Sequence, residues 1–272
     1  MTDTFTITRP EDLHMHQREE GLSRAGLPET NQHFARAFVM ENLVPPVVSG
    51  ANARVCRDCS LATLPDAMSF TPLTMFNLPE DTDPEGVAAA HAQGLIHAVE
   101  LYPAGATTTS SSGARDMAQM RPMLERMAEI GRNHLLLEGT RPHNDCLPLA
   151  KREEHQLALR KAATSGEAFF FLGTDSTCDT NLNKDMACGC AGCFTATNTM
   201  SILVEVFEQE DALDRLEHST SLNGPAFCRR PANEDKIILT RGEPVAYSEK
   251  LHSDEGPVAL FDPQVPLRWR VN

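Results

Sequence analysis

Two short stretches carry side chains able to hold a metal ion: Asp12-Leu13-His14-Met15-His16 and Gly173-Thr174-Asp175-Ser176. Histidines at i and i+2 on an extended segment point to the same side of it. Both imidazoles can then meet one ion, and neutral imidazole suits zinc. Two solvent-facing histidines at a strand end are the plain alternative. Asp175 follows the apolar run Ala168–Leu172. A carboxylate at the C-terminal tip of a barrel strand is placed to ligate a metal or to move protons. A helix-capping or turn aspartate has the same local sequence. The pair is more specific than either half, because an α/β barrel sets its first and last strands side by side.

Elements must bring the two stretches together. Phe5–Thr8 alternates apolar and polar residues as a short strand does, and Arg9 and Pro10 stop it. The His-x-His therefore follows the first strand. Ala35–Met40, Ser69–Met75, Ile96–Glu100, His134–Leu137 and Ala168–Leu172 read as further strands, the last one buried. Residues 50–63, Pro84–Gln93, 116–130 and Lys151–Thr164 read as helices. Asp83 is a good N-cap with Pro84 in the first turn, and Gly94 closes that helix. Met117, Met120, Leu124, Met127 and Ile130 stand at helical spacing, a stripe that suits core packing. Pro103–Gly113 and 177–193 read as loops. Helices resume over Thr197–Glu208 and again from Asp211 and Thr220, and the tail from Ile237 is strand and irregular structure. Strands alternating with helices make βα units on a parallel sheet. About six strands precede the tail, against the eight of a closed barrel.

The chain has 272 residues, 41% of them apolar, and residues 1–272 read as one domain. A net charge of −14 repels phosphate backbones, so no nucleic-acid partner is expected. No apolar run approaches the roughly 18 residues of a membrane span. Met1–Pro10 has no apolar signal-peptide core, so a soluble, cytoplasmic protein is expected. In a reducing compartment the eight cysteines are thiols or metal ligands. Cys56 and Cys59 form a C-x-x-C. Cys188, Cys190 and Cys193 form a C-x-C-x-x-C, a spacing that a cysteine-based zinc module also uses.

The wording around these motifs resembles a known family. R-P-E-D-L-H-M-H-Q-R (9–18), V-M-E-N-L-V-P-P-V (39–47), L-Y-P-A-G-A-T-T (101–108), R-P-H-N-D-C-L-P (141–148), G-T-D-S (173–176), C-G-C-A-G-C-F (188–194) and N-G-P-A-F (223–227) resemble dihydroorotase. The likeness is to the homodimeric bacterial and plant type, in the amidohydrolase superfamily. It implies an α/β fold, the (β/α)8 TIM-barrel type of the metal-dependent hydrolases, with two zinc ions at its C-terminal mouth. It implies interconversion of L-dihydroorotate and N-carbamoyl-L-aspartate in pyrimidine biosynthesis, and a homodimer. On this resemblance His14 and His16 match metal ligands. Asp175 matches a ligand that also shuttles the proton. Arg18 and Asn42 match the groups that hold the substrate carboxylate, a task for which a guanidinium fork is well suited. Thr107 and Thr108 match a loop that closes on substrate, and Ala191 matches a backbone contact to the ring. The resemblance also makes 188–194 a substrate-covering loop rather than a zinc knuckle, and leaves Cys56 and Cys59 incidental.

Three departures from the family stand out. Glu100 occupies the position of the carboxylated lysine that bridges the two metals. Its carboxylate falls short of a lysine carbamate by roughly 3–4 Å at ordinary bond lengths, so it suits one metal better than two. A block of about 70 residues is absent near 131–132, on the order of two to three βα units, and with it two metal-ligand histidines. His134 and His143 lie nearby, at positions that match non-ligand residues of the family. Asp179 replaces a histidine that contacts the substrate carboxylate. Two like charges about 4 Å apart cost roughly 4 kcal/mol at an effective dielectric near 20. The expectation is therefore a zinc-dependent dihydroorotase-like hydrolase on an incomplete barrel, holding two, one or no metal ions. The alternative is a catalytically impaired relative.

Overall fold

Strand β1 (Thr4–Thr8) forms where the alternating pattern places it, yet it does not join the main sheet. The computed structural model describes residues 4–18, 20–41, 46–66, 68–79, 81–101, 115, 135–136, 153–185, 192–245, 251–258, 260–261, 263 and 265–272. The expected helix at 116–130, the loop at Pro103–Gly113, the junction at 131–132, His134 and His143 lie outside them. Arg9 and Pro10 break β1, and β2 (Glu11–Gln17) starts a different sheet. His14 and His16 thus lie within a strand, not after one.

The chain continues through α1 (Glu20–His33), β3 (Arg36–Glu41), α2 (Gly50–Ala62), β4 (Thr71–Asn77), α3 (Pro84–Ala92) and β5 (Ala98–Glu100). Then come β6 (Leu135–Leu136), α4 (Glu153–Ala163) and β7 (Ser176–Thr177). Strands β2 to β7 form one parallel sheet in the order β6-β5-β4-β3-β2-β7. The order is sequential from β2 to β6, and β7 then returns to the free side of β2. That is how a barrel winds, with its last strand beside its first. Among the described residues β6 and β7 are the two ends of this sheet, so six parallel strands stand where a closed barrel has eight.

Strands β3 and β4 are buried on both faces, as parallel strands covered by helices are. Phe38, Met40, Leu73, Met75 and Ala98 form an inner cluster with Leu13. The other faces meet the helical layer. Met15 and Ala37 pack with Leu27 of α1, while Phe76 and Val99 pack with Ala53 of α2 and Val87 and Ala90 of α3. Capping sets where these helices start. Ser49 accepts from the Asn52 amide at 3.2 Å, and Asp83 accepts from Glu85 and Gly86 at 3.1 and 3.0 Å. Gly94, at φ +66°, ends α3 as expected.

Two expected elements differ. Ala168–Leu172 is not a strand: Phe169 is 64% exposed and Phe170 also faces solvent. Only Phe171 and Leu172 turn inward, onto separate clusters. Leu172 bridges the Leu13 amide and the Ser219 carbonyl, each at 3.0 Å. The presumed loop at 177–193 contains a short helix, α5 (Asn181–Asp185).

The chain ends build a second layer. Strand β8 (Lys236–Val245) pairs antiparallel with β1 on one side and β11 (Leu267–Val271) on the other, and β9 (Leu251–Ser253) and β10 (Gly256–Val258) form a hairpin. Ile7, Leu239 and Trp269 pack on Met200, Val204 and Phe207 of α6 (Thr199–Gln209). No helix among the described residues is long and apolar enough to cross a membrane.

Candidate metal centre

A bulge in β2 aims the two histidines. Asp12 pairs with Ala37 and Met15 with Val39, so three steps on β2 oppose two on β3. An extra residue of this kind re-aims the side chains around it. Leu13 consequently enters the inner cluster, whereas Met15 packs outward on α1. The imidazoles of His14 and His16 lie edge to face with centroids 5.3 Å apart.

Both rings converge on one carboxylate oxygen. Oδ1 of Asp175 is 3.3 Å from Nε2 of His14 and 3.0 Å from Nε2 of His16. A potential donor from each of the three residues lies within 4.8 Å of the other two, the one such group of three among the described residues. Two ligands of a tetrahedral zinc, at metal–donor lengths near 2.0–2.1 Å, stand about 3.3 Å apart. The donor set and its spacing therefore fit one zinc ion with a fourth position open. Burial alone would raise the Asp175 pKa, but the hydrogen bonds and charge of the two imidazoles outweigh it and hold it well below the usual carboxylate range. Asp175 lies beside β2, just ahead of β7 rather than at the tip of a regular strand. Its amide donates to the His14 carbonyl at 2.7 Å, and its φ of +53° is a left-handed conformation that aspartate tolerates.

Asp12 ties the two stretches together, and sequence reasoning gave it no role. It is fully buried. Its Oδ1 accepts from the amides of His14 and Thr174 at 3.1 and 2.9 Å, and its Oδ2 accepts from the Thr174 hydroxyl at 2.6 Å. Burial pushes its carboxyl up to about 6 against the downward pull of these bonds. The signal available in the sequence was an acidic residue two before His14 in a strand. Gly173 is needed for the same approach, since a Cβ there would meet His14 Cβ at 2.8 Å.

The other expected residues divide into three sets. Arg18 follows β2, and its Nε and Nη2 donate to Oδ2 of Asp179 at 3.3 and 3.0 Å. Asp179 therefore does not present an isolated negative charge to the site: it forms an ion pair with Arg18. Glu100 is buried at the C-terminal end of β5 but is not in the group of three. Asn42, Thr107, Thr108 and Ala191 lie outside the described residues, as do Cys188 and Cys190. Cys193 lies beside β7, its carbonyl accepting from the Thr177 amide at 2.9 Å. Cys56 packs against the α2–α3 cluster and Cys59 is exposed.

A barrel-wound parallel sheet thus brings a His-x-His on one strand and an aspartate just ahead of its neighbour into a group that could hold a metal ion, as the barrel-type hydrolase reading of the sequence expects. No protein-family model matches the chain. The dihydroorotase of Ruegeria sp. (strain TM1040) is 47% identical over 345 residues, covering 100% of both chains. Those 345 aligned positions against 272 residues leave 73 with no counterpart here, close to the block of about 70 expected near 131–132. The crystal structure of Saccharomyces cerevisiae dihydroorotase in complex with 5-fluoroorotic acid has a TM-score of 0.88 at 22% identity, covering 99% of this chain and 98% of that one. The dihydroorotase of Campylobacter jejuni has a TM-score of 0.85 at 21% identity, covering 100% and 98%. The chain belongs to the dihydroorotase family, and its fold is the amidohydrolase TIM-barrel type.

Proposed function

We propose that this chain is a zinc-dependent cyclic-amide hydrolase that interconverts L-dihydroorotate and N-carbamoyl-L-aspartate in pyrimidine biosynthesis. The observation that carries the reading is the convergence of His14, His16 and Asp175 at 3.0 and 3.3 Å. These three residues would hold one zinc. A bound zinc supplies a water of lowered pKa and polarises the amide carbonyl. The residues do the rest. The Asp175 carboxylate takes a proton during ring opening and returns it to the leaving nitrogen. Asp12 fixes the backbone of both stretches. Arg18, ion-paired with Asp179, is assigned to the ring carboxylate on the family resemblance. Asn42, Thr107, Thr108 and Ala191 are assigned to substrate contact on the family resemblance, and Asp179 acts through Arg18. Family resemblance further supports a homodimer, the net charge of −14 disfavours a nucleic-acid partner, and a cytoplasmic location belongs to the same proposal.

The test is metal content together with L-dihydroorotate hydrolysis on the purified chain. About one zinc per chain is expected from a three-residue site with one open position. His14→Ala and His16→Ala should each lose the metal and the turnover. Zinc retained in both variants, or a folded, zinc-loaded chain with no hydrolysis, would overturn the reading.

A further inference from the structure

Arg18 and Asp179 lie just past the C-terminal ends of two neighbouring strands, β2 and β7. The register pairs His16 with Thr177. Two residues further along each segment, just past the strand ends, Arg18 and Asp179 meet. Both donors of Arg18 turn to a single oxygen of Asp179, at 3.0 and 3.3 Å. The Asp179 side chain is 4% exposed and that of Arg18 20%. The cation two residues past His16 is thus already matched by a carboxylate of this chain.

We propose that Asp179 competes with the substrate's ring carboxylate for Arg18, so that the pair weakens binding of carboxylated rings, dihydroorotate among them, and leaves binding of neutral rings of the same size unchanged. The inference rests on the reading of the site as a cyclic-amide hydrolase centre. An incoming carboxylate must part a mostly enclosed ion pair and leave the Asp179 charge without its partner, which is costly. A neutral ring parts nothing. Residue 179 therefore sets specificity without touching the metal group.

The experiment compares orotate with uracil, the same ring without the carboxylate, by calorimetric titration of the zinc-loaded full chain. Asp179→Asn keeps the size of the side chain and gives up its charge. Orotate should bind the variant about 10- to 100-fold more tightly, while uracil binding stays within about twofold. Asp179→Ser should show the same selective gain, and thermal melting identifies any variant that does not fold. Unchanged orotate affinity in a folded variant, or an equal gain for both rings, overturns the proposal. Dihydroorotate turnover is read on the same samples. A selective orotate gain without turnover in any sample supports the competition and removes the catalytic reading. Turnover with the same KM in the original chain and in Asp179→Asn removes the competition and keeps the catalytic reading.

Discussion

Asp12 shows how the site is held at the scale of single residues. Three donors, the amides of His14 and Thr174 and the Thr174 hydroxyl, end on its enclosed carboxylate. Asp12→Ala would remove the acceptor of both amides and leave the Thr174 hydroxyl only the His14 carbonyl at 3.4 Å, and should cost about 2–4 kcal/mol of folding stability. Asp12→Asn keeps an oxygen for the two amides and lets the Thr174 hydroxyl accept from its amide group, so the cost should fall to about 1 kcal/mol. Urea midpoints of the two variants check the ranking, and equal losses would contradict it. Gly173 makes a second case. An alanine Cβ there would meet the His14 Cβ at 2.8 Å. Gly173→Ala should cost about 1–3 kcal/mol through overpacking and should weaken zinc retention against a chelator. His14, His16 and Asp175 were legible in the sequence because residue type and spacing suffice to suggest a shared ion. Asp12 and the Arg18–Asp179 pair were not, because each depends on the register between strands about 160 residues apart in the chain.

At the scale of elements, local chemistry decided what could be read. Helices α2, α3 and α4 lie within two residues of their expected ends. Asp83 shows why: cap, proline and closing glycine are all local. Asp83→Ala should destabilise the protein by about 1 kcal/mol, and Asp83→Ser by much less, measured by thermal or urea unfolding. Helix α1 was not anticipated, and Pro28 within it interrupts the pattern that periodicity relies on. The Phe169-Phe170-Phe171 run misled in the opposite direction. Its apolar content matches a buried strand, yet only Phe171 reaches the inner cluster. Composition cannot distinguish an aromatic that packs from one left facing water, because that depends on which elements lie opposite. The bulge in β2 was illegible for the same reason, being defined only against β3. The i, i+2 argument for His14 and His16 nevertheless reached the right convergence, since the two histidines and Asp175 do meet.

At the scale of the whole molecule, His33 marks the joint between the two layers. It ends α1, which packs on the parallel sheet, and its ring is hydrogen bonded to the backbone of Thr197, just ahead of α6 in the second layer. The neighbouring Phe34 belongs to that second cluster. The sequence suggested strands and helices on both sides of this joint but not that β1 crosses it to pair with β8, a partnership between the two ends of the chain. Burial, with the Arg9 guanidinium adding to it, pushes the His33 pKa down from 6.5 to about 4. Between those values the unfolded chain binds a proton that the folded chain refuses. Stability therefore falls as pH drops from about 6.5 toward 4, and the loss from this one group reaches roughly 3 kcal/mol at the lower end. Above pH 6.5 the ring is neutral in both states and contributes no slope. His33→Gln removes the titration while keeping a donor for Thr197. Between pH 7.5 and 5 the original chain should lose about 2 kcal/mol more than the variant, read from urea unfolding at each pH. Parallel pH profiles for the two proteins would show that the joint accommodates the charged ring, and that acid opens this fold elsewhere.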